Sequence, residues 1–249
     1  ELLDRRSLRS VQDKPGMPAF VRELSNNACA LLIESRAASS ALLHEQLAQI
    51  MASLAAFPVE KQVDFSEDPA ENARLWAIRK DTFPAVGAVR KTGTTVIIED
   101  VTFPVEQLAI GVNRLIELFD KHHYDEAILF GHALEGNLHF VFTQGFNNPE
   151  EVARYQAFMD DVAQLVAVEF GGSLKAEHGT GRNMAPFVEL EWGSDAYQLM
   201  WQLKRLLDPN GILNPDVVLS EDPQIHLKHL KPLPAADEIV DKCIECGFC

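Results

Sequence analysis

The predicted fold centres on the stretch Gly131-His132-Ala133-Leu134-Glu135-Gly136-Asn137-Leu138-His139. Apolar residues precede and follow it, and Glu135-Gly136 is a plausible two-residue turn, so the stretch predicts a β-hairpin. Folding about that turn would place His132 directly opposite His139, and directly opposed residues share a face with Cβ atoms roughly 5 Å apart. Two imidazoles at that spacing could bind one divalent metal. The alternative is a hairpin with two polar side chains near its tip.

Strand and helix patterns alternate on both sides of this hairpin. The apolar periodicity predicts strands over residues 28–34, 63–65, 94–98, 127–131, 138–143 and 173–176, and helices over residues 39–55, 69–80, 105–121, 149–169 and 195–207. This order predicts an α+β fold in which helices cover one face of a mostly antiparallel sheet, with a helical segment and an extended tail at the C-terminal end. Prolines and scattered charges then predict a linker arm over residues 219–242.

A second polar stretch, Glu177-His178-Gly179-Thr180-Gly181, follows a short predicted strand. Glu177 could complete a His–His–carboxylate metal site that keeps open coordination positions. His178 could then act as a general base, because an imidazole titrates near neutral pH. The alternative is a surface turn.

The composition limits the classes of partner. With 22 Lys and Arg against 37 Asp and Glu, the net charge is −15, which disfavours a nucleic-acid partner. No apolar run is long enough to predict a transmembrane segment.

The start at Glu1 has neither a methionine nor a signal-peptide pattern and is interpreted as an internal cut. Cys29, in an apolar run, is expected to be a small buried residue.

Three cysteines, Cys243, Cys246 and Cys249, form C-x-x-C-x-x-C in the last seven residues. Spacing this tight disfavours disulfides and suits thiolate ligation of a metal cluster in a reducing compartment. The cytoplasm is therefore the expected compartment, and a location at the inner face of a membrane is the alternative. The pattern resembles the opening of a ferredoxin-type 4Fe–4S motif, so residues 243–249 are interpreted as the start of a truncated iron–sulfur domain. A zinc knuckle is the alternative.

Three motifs in this order resemble the FAD-linked oxidases, the family of D-lactate dehydrogenase, the glycolate oxidase flavin subunit and D-2-hydroxyglutarate dehydrogenase. They are Gly131-His132-x-x-x-Gly136-Asn137-Leu138-His139, Glu177-His178-Gly179-x-Gly181 and Leu207-Asp208-Pro209-Asn210-Gly211-Ile212-Leu213-Asn214-Pro215. The resemblance covers residues 1–218. It implies a C-terminal cap, or substrate, domain with a ferredoxin-like antiparallel sheet, packed over an FAD-binding domain that is missing from this chain.

The resemblance also implies roles for individual residues. A zinc or manganese ion would be held above the flavin by His132, His139 and Glu177, and His178 would remove the proton of the substrate hydroxyl. Arg79 matches an arginine that pairs with the substrate carboxylate; read alone, it would be a solvated charge on a helix. Asn214 matches an asparagine beside the flavin. Without the resemblance, Asn214 would be interpreted as an ordinary turn residue.

The leading hypothesis is therefore FAD- and metal-dependent dehydrogenation of a D-2-hydroxy acid of the D-2-hydroxyglutarate or D-lactate class. Electrons would pass from FAD to iron–sulfur clusters and an electron carrier, and this chain alone would be inactive. Better-known members carry other residues at the positions of Glu135, Val141 and Ile98. The identity of the substrate is therefore left open. One alternative is a non-catalytic binding and electron-relay module whose metal site has lapsed. Another is an autonomous zinc hydrolase that uses the same three ligands.

Overall fold

Capping side chains begin several of the helices in the computed structural model, which describes residues 1–243. Ser39 accepts a hydrogen bond from the backbone of Leu42, and Asn148 accepts one from Glu151. Asp68 does the same for Ala70. These side chains satisfy amide groups that a first turn leaves without partners, which explains why the helices begin there.

The bounds of the regular elements are as follows. The helices are α1 Arg5–Val11, α2 Ser40–Leu54, α3 Pro69–Lys80, α4 Thr82–Val89, α5 Leu108–Lys121, α6 Pro149–Ala163, α7 Gly181–Met184 and α8 Val188–Leu207. The strands are β1 Leu2–Leu3, β2 Ala30–Leu31, β3 Thr94–Thr102, β4 Ile128–His132 and β5 Asn137–Gly145. A π-helical segment, Gln164–Glu169, extends α6, and α8 is kinked at Gly193.

The chain divides into two units, and the first runs from Glu1 to Ala85. It contains α1, α2, α3 and a short antiparallel pair in which Leu2 faces Leu31. The guanidinium of Arg5 donates to the carbonyls of Ser25 and Leu24. These bonds tie α1 to the segment that precedes β2.

The second unit, from Val86 onward, is built on antiparallel strands in which β5 lies between β4 and β3. Side chains alternate between the two faces of a strand. Phe140 and Phe142 therefore point to one face of β5, and His139 and Val141 point to the other. The α+β class with an antiparallel sheet is confirmed.

Helices α5 and α6 cover the aromatic face of this sheet. Phe119 of α5 lies 5.8 Å from Phe140, and Phe158 of α6 lies 5.2 Å from Phe142, measured between ring centroids. All four rings are fully buried, and each such side chain contributes about 1.5–3 kcal/mol through burial. This core fixes β5, and through it the opposite face of the sheet.

Several local predictions were wrong. Residues 63–65 form no strand, and residues 173–176 contribute only an isolated bridge between Ser173 and Thr102. The predicted strand over residues 28–34 is reduced to β2, and Cys29 is exposed rather than buried. Short apolar runs form strands only where a neighbouring strand pairs with them, which composition alone does not reveal.

Residues 219–242 contain 3-10 turns, Ile225–Leu227 and Val240–Lys242, and neither α-helix nor strand. His226 is buried there, 5.4 Å from the ring of Phe187 and 6.4 Å from that of Tyr155. Part of the expected linker arm therefore packs on the second unit.

Candidate functional site

The hairpin of β4 and β5 carries both histidines, but its register differs from the prediction. Phe130 is opposite His139, and His132 is opposite Asn137. The predicted direct pairing of His132 with His139 is therefore wrong. The two residues still share a face, because a register shift of two residues preserves the alternation of side chains. Their ring centroids are 5.3 Å apart.

A longer turn causes the shift. The two strands are joined by the 3-10 turn Ala133–Glu135 followed by Gly136, which has a φ of 69°. A β-carbon on Gly136 would lie 2.1 Å from the carbonyl oxygen of Phe103. The amide of Phe103 also donates to the carbonyl of Gly136 at 3.0 Å. The turn is thus fitted against the end of β3, a contact that local sequence does not encode.

Glu177 brings a carboxylate to the two imidazoles. Its Oε1 lies 2.9 Å from Nε2 of His139 and 3.5 Å from Nε2 of His132. One donor atom from each of the three residues falls within 4.8 Å of the others. Two imidazole nitrogens and one carboxylate oxygen are the donor set expected for zinc or manganese with open positions, so these residues fit a divalent cation.

Burial differs across this cluster. The side chain of His139 is 6% exposed, whereas those of His132 and Glu177 are about a third to a half exposed. Burial lowers the pKa of His139, an effect that the neighbouring imidazoles of His178 and His132 reinforce and the carboxylate of Glu177 opposes. The ring is therefore held in the neutral form that ligates metals.

His178 stacks on this cluster. Its ring lies 5.0 Å from that of His139, with an angle of 19° between the planes. Its Nε2 is 3.8 Å from Oε1 of Glu177, and its Nδ1 is 3.4 Å from Oδ1 of Asp100. One ring nitrogen thus faces the metal-type donors and the other faces a buried carboxylate.

A buried charge network beneath the cluster was not foreseen from the sequence. Asp100 and Glu99 are both about 1% exposed or less, and the ammonium of Lys175 contacts both carboxylates. Burial raises the pKa of Glu99, partly offset by Lys175, and the amide of Asn183 donates to the same carboxylate. The available signal was a pair of adjacent carboxylates inside the apolar strand β3.

The other predicted site residues lie elsewhere in the chain. Arg79 belongs to α3 of the first unit, where its Nε donates to the carboxylate of Glu1 at 2.7 Å. Asn214 is exposed in the turn after α8, with a φ of 42°. The carbonyl of Cys243 accepts hydrogen bonds from Arg90. Cys246 and Cys249 lie outside the described residues.

Antiparallel strands that carry two histidines, with Glu177 and a further histidine brought beside them by a loop, define an α+β domain with a candidate metal centre. Residues 1–218 match the family described as FAD linked oxidases, C-terminal domain. The chain belongs to this family.

Similar proteins include the glycolate oxidase subunit GlcD of Bacillus subtilis, 34% identical over 55% of this chain and 29% of the relative. The mitochondrial D-lactate dehydrogenase [cytochrome] of Arabidopsis thaliana is 32% identical over 61% of this chain and 26% of its own length. A probable mitochondrial D-2-hydroxyglutarate dehydrogenase of Oryza sativa subsp. indica is 30% identical over 63% and 26%. The chain therefore spans less than a third of these relatives.

Within the described part of the chain, none of the helices has the length and apolar character needed to span a bilayer.

Proposed function

We propose that this chain is the substrate- and metal-binding part of an FAD-dependent enzyme that oxidises a 2-hydroxy acid to the 2-oxo acid. The observation that carries the proposal is the convergence of His132, His139 and Glu177, with His178 stacked against them. Membership of the FAD-linked oxidases, and the hydroxy-acid activities in the names of similar proteins, support it.

The proposed roles follow from chemistry. Oxidising a secondary alcohol to a ketone removes two electrons and two protons. When bound, a divalent cation supplies a charge that lowers the pKa of a hydroxyl group, and FAD supplies the electron acceptor. Nε2 of His178 lies on the side of Glu177, so this nitrogen would take the hydroxyl proton.

Further roles complete the proposal. Arg79 would pair with the substrate carboxylate through its planar guanidinium, which already binds the carboxylate of Glu1 and is only 15% exposed. Asn214 would lie beside the flavin. In the proposed longer protein, Cys243, Cys246 and Cys249 would ligate a 4Fe–4S cluster that passes electrons to a carrier in the cytoplasm or at the inner face of a membrane. D-2-hydroxyglutarate and D-lactate are the proposed substrate candidates.

The test uses the chain together with its flavin-binding domain, loaded with FAD and supplied with zinc or manganese. Under anaerobic conditions, D-lactate or D-2-hydroxyglutarate is expected to bleach the flavin absorbance, with the L-enantiomers as matched controls. A His178→Gln variant should bind metal normally but bleach much more slowly, because it lacks the proton acceptor. Flavin that stays oxidised with every 2-hydroxy acid tested would contradict the proposal and favour a non-catalytic relay module.

A further inference from the structure

We infer that Asp100 is a positioning residue, which holds the proposed metal ligand Glu177 and the proposed base His178 against the hairpin. The inference rests on the proposed function and extends it to a residue that contacts neither substrate nor cofactor in that scheme. One oxygen of Asp100, Oδ2, accepts hydrogen bonds from the backbone amides of both residues, at 2.5 Å from Glu177 and 3.2 Å from His178.

The position of Asp100 on β3 accounts for this reach. Asp100 is directly opposite His139 in the pairing of β3 with β5, so the two side chains share the site face of the sheet. Its side chain is fully buried. A carboxylate fixed inside a paired strand is a rigid anchor for a neighbouring loop.

The loop is tied at its start, where the amide of Leu174 donates to Glu191 and Lys175 binds Glu99, and Asp100 holds the residues that follow. Between the bridge at Ser173 and helix α7, residues 174–180 have no regular structure. Gly179 and Gly181 have φ values of 74° and 64°, a backbone conformation that glycine adopts without strain. The two hydrogen bonds to Asp100, together with the stacking of His178 on His139, place Glu177 and His178 against the histidines of the hairpin.

The second oxygen of Asp100 lies near both the ring of His178 and the ammonium of Lys175. Oδ1 is buried and makes no hydrogen bond within residues 1–243, yet it lies 3.4 Å from Nδ1 of His178 and 3.4 Å from Nζ of Lys175. A small ring movement would convert this ion-pair distance into a hydrogen bond, as happens when catalytic geometries tighten on substrate binding. An acceptor at Nδ1 places the proton there and leaves the lone pair of Nε2 on the side of Glu177.

Lys175 braces this anchor. Its ammonium lies 3.4 Å from Oδ1 of Asp100 and also binds the buried carboxylate of Glu99. The side chain of Asp100 is therefore fixed from the strand, from the loop and from a neighbouring cation.

The test compares Asp100→Asn with Asp100→Ala in the flavin-containing protein. Asn keeps an oxygen that can accept the loop amides but replaces Oδ1, which faces Nδ1 of His178, with an amide nitrogen that cannot accept a hydrogen bond, whereas Ala removes both. Asp100→Asn is expected to lower kcat for flavin reduction about 10–100-fold with little change in KM, and Asp100→Ala also to weaken zinc binding about 10–100-fold. Thermal melting checks that both variants fold.

A double-mutant cycle separates positioning from general structural damage. If Asp100 acts through His178, Asp100→Asn should lower kcat little further in the His178→Gln background. The matched control is Asp161→Asn, which removes a carboxylate that bonds Nε2 of His122 at 2.6 Å on helix α6. This control should leave kcat and zinc affinity unchanged.

The outcomes distinguish this inference from the function on which it rests. Full additivity of the two substitutions in kcat, or wild-type kcat and zinc affinity in both Asp100 variants, would overturn the positioning role. If the wild type binds zinc but no hydroxy acid reduces its flavin, the proposed function fails and zinc affinity alone decides the inference. If the wild type is active without zinc, the kcat cycle decides it. If the wild type neither binds zinc nor has its flavin reduced by a hydroxy acid, both the proposed function and the inference are contradicted.

Discussion

Nε2 of His139 lies 2.9 Å from Oε1 of Glu177 although the two residues come from different parts of the second unit. His139 belongs to the central strand of that unit and is 6% exposed, whereas Glu177 lies in a loop and is 46% exposed. One member of the pair is thus fixed by the core and the other is accessible to solvent. Replacing the buried His139 is therefore expected to affect metal binding more than replacing the exposed Glu177.

Replacing His139 with Ala is expected to reduce bound zinc from stoichiometric to background, because it removes the one donor that the core holds in place. Glu177→Gln should retain weaker binding, since the amide oxygen keeps the shape but loses the charge. Elemental analysis after dialysis measures both. His44→Ala is the matched control, because His44 lies in the first unit, is exposed and pairs with Glu67 rather than with the cluster. Stoichiometric zinc in His139→Ala would exclude this cluster as the metal site.

Gly136→Ala is expected to destabilise the protein more than Gly171→Ala. Both glycines have left-handed φ values, 69° and 61°, so each substitution costs about 1–2 kcal/mol in backbone strain. Only at Gly136 would the new β-carbon meet a backbone atom, the carbonyl oxygen of Phe103 at 2.1 Å, whereas Gly171 has nothing within 4 Å. Overpacking should add about 1–3 kcal/mol.

Urea unfolding of the two variants measures this difference. Zinc titration should also show weaker binding for Gly136→Ala, because the turn sets the register of His132 against His139. Equal stability of the two variants would mean that the turn yields without cost, and that Phe103 does not fix the register.

Local signals in the sequence were sufficient for much of the helical structure. The predicted helix over residues 69–80 matches α3 because Asp68 and Pro69 form its first turn, and Asn148 with Pro149 begins α6 in the same way. Capping is encoded within about four residues, so a sequence pattern can reveal it. The existence of the hairpin was predicted for a similar reason.

The register and the buried charges depended on distant partners. The turn at Gly136 is shaped by Phe103, and Lys175 reaches Glu99 from 76 positions away. The strand was predicted to end at Ile98, before two charged residues, but β3 continues to Thr102. A carboxylate is tolerated inside a strand when a cation neutralises it, and that compensation is not visible in the local pattern.

His226 is expected to make the folded protein less stable as the pH falls below about 6.5, its ordinary pKa. The ring is buried against Tyr155 and Phe187, and neither ring nitrogen has a hydrogen-bond partner in the described part of the chain. Burial lowers the pKa of His226, and the charges of Asp160 and Asp222 only partly oppose this shift. The unfolded chain therefore takes up a proton that the folded chain resists, so stability is complete above pH about 6.5 and is lost below it.

The free energy of unfolding, measured across this pH range for the wild type and His226→Phe, checks the prediction. Phe can pack against Phe187 without titrating, so the variant should lose part of the pH dependence and remain as stable as the wild type near neutral pH. His44→Ala, which changes an exposed histidine, should keep the wild-type slope. An unchanged slope in His226→Phe would contradict the assignment.

Asp208 is expected to hold the turn that carries Asn214. Its carboxylate accepts the amides of Ile212 at 3.0 Å and Leu213 at 2.9 Å and binds the ammonium of Lys204 at 2.5 Å. The bond to Lys204, together with these amides, lowers the pKa of Asp208 to about 2. Because the folded pKa lies below the ordinary value of about 3.9, this support is complete above that pH and is lost as the pH falls towards about 2.

In Asp208→Ala, the amides of Ile212 and Leu213 should exchange with solvent faster at neutral pH, as hydrogen exchange would detect. Glu221→Ala, which removes only an exposed partner of Arg205, should leave their exchange unchanged, and equal protection in both variants would show that the turn forms without Asp208.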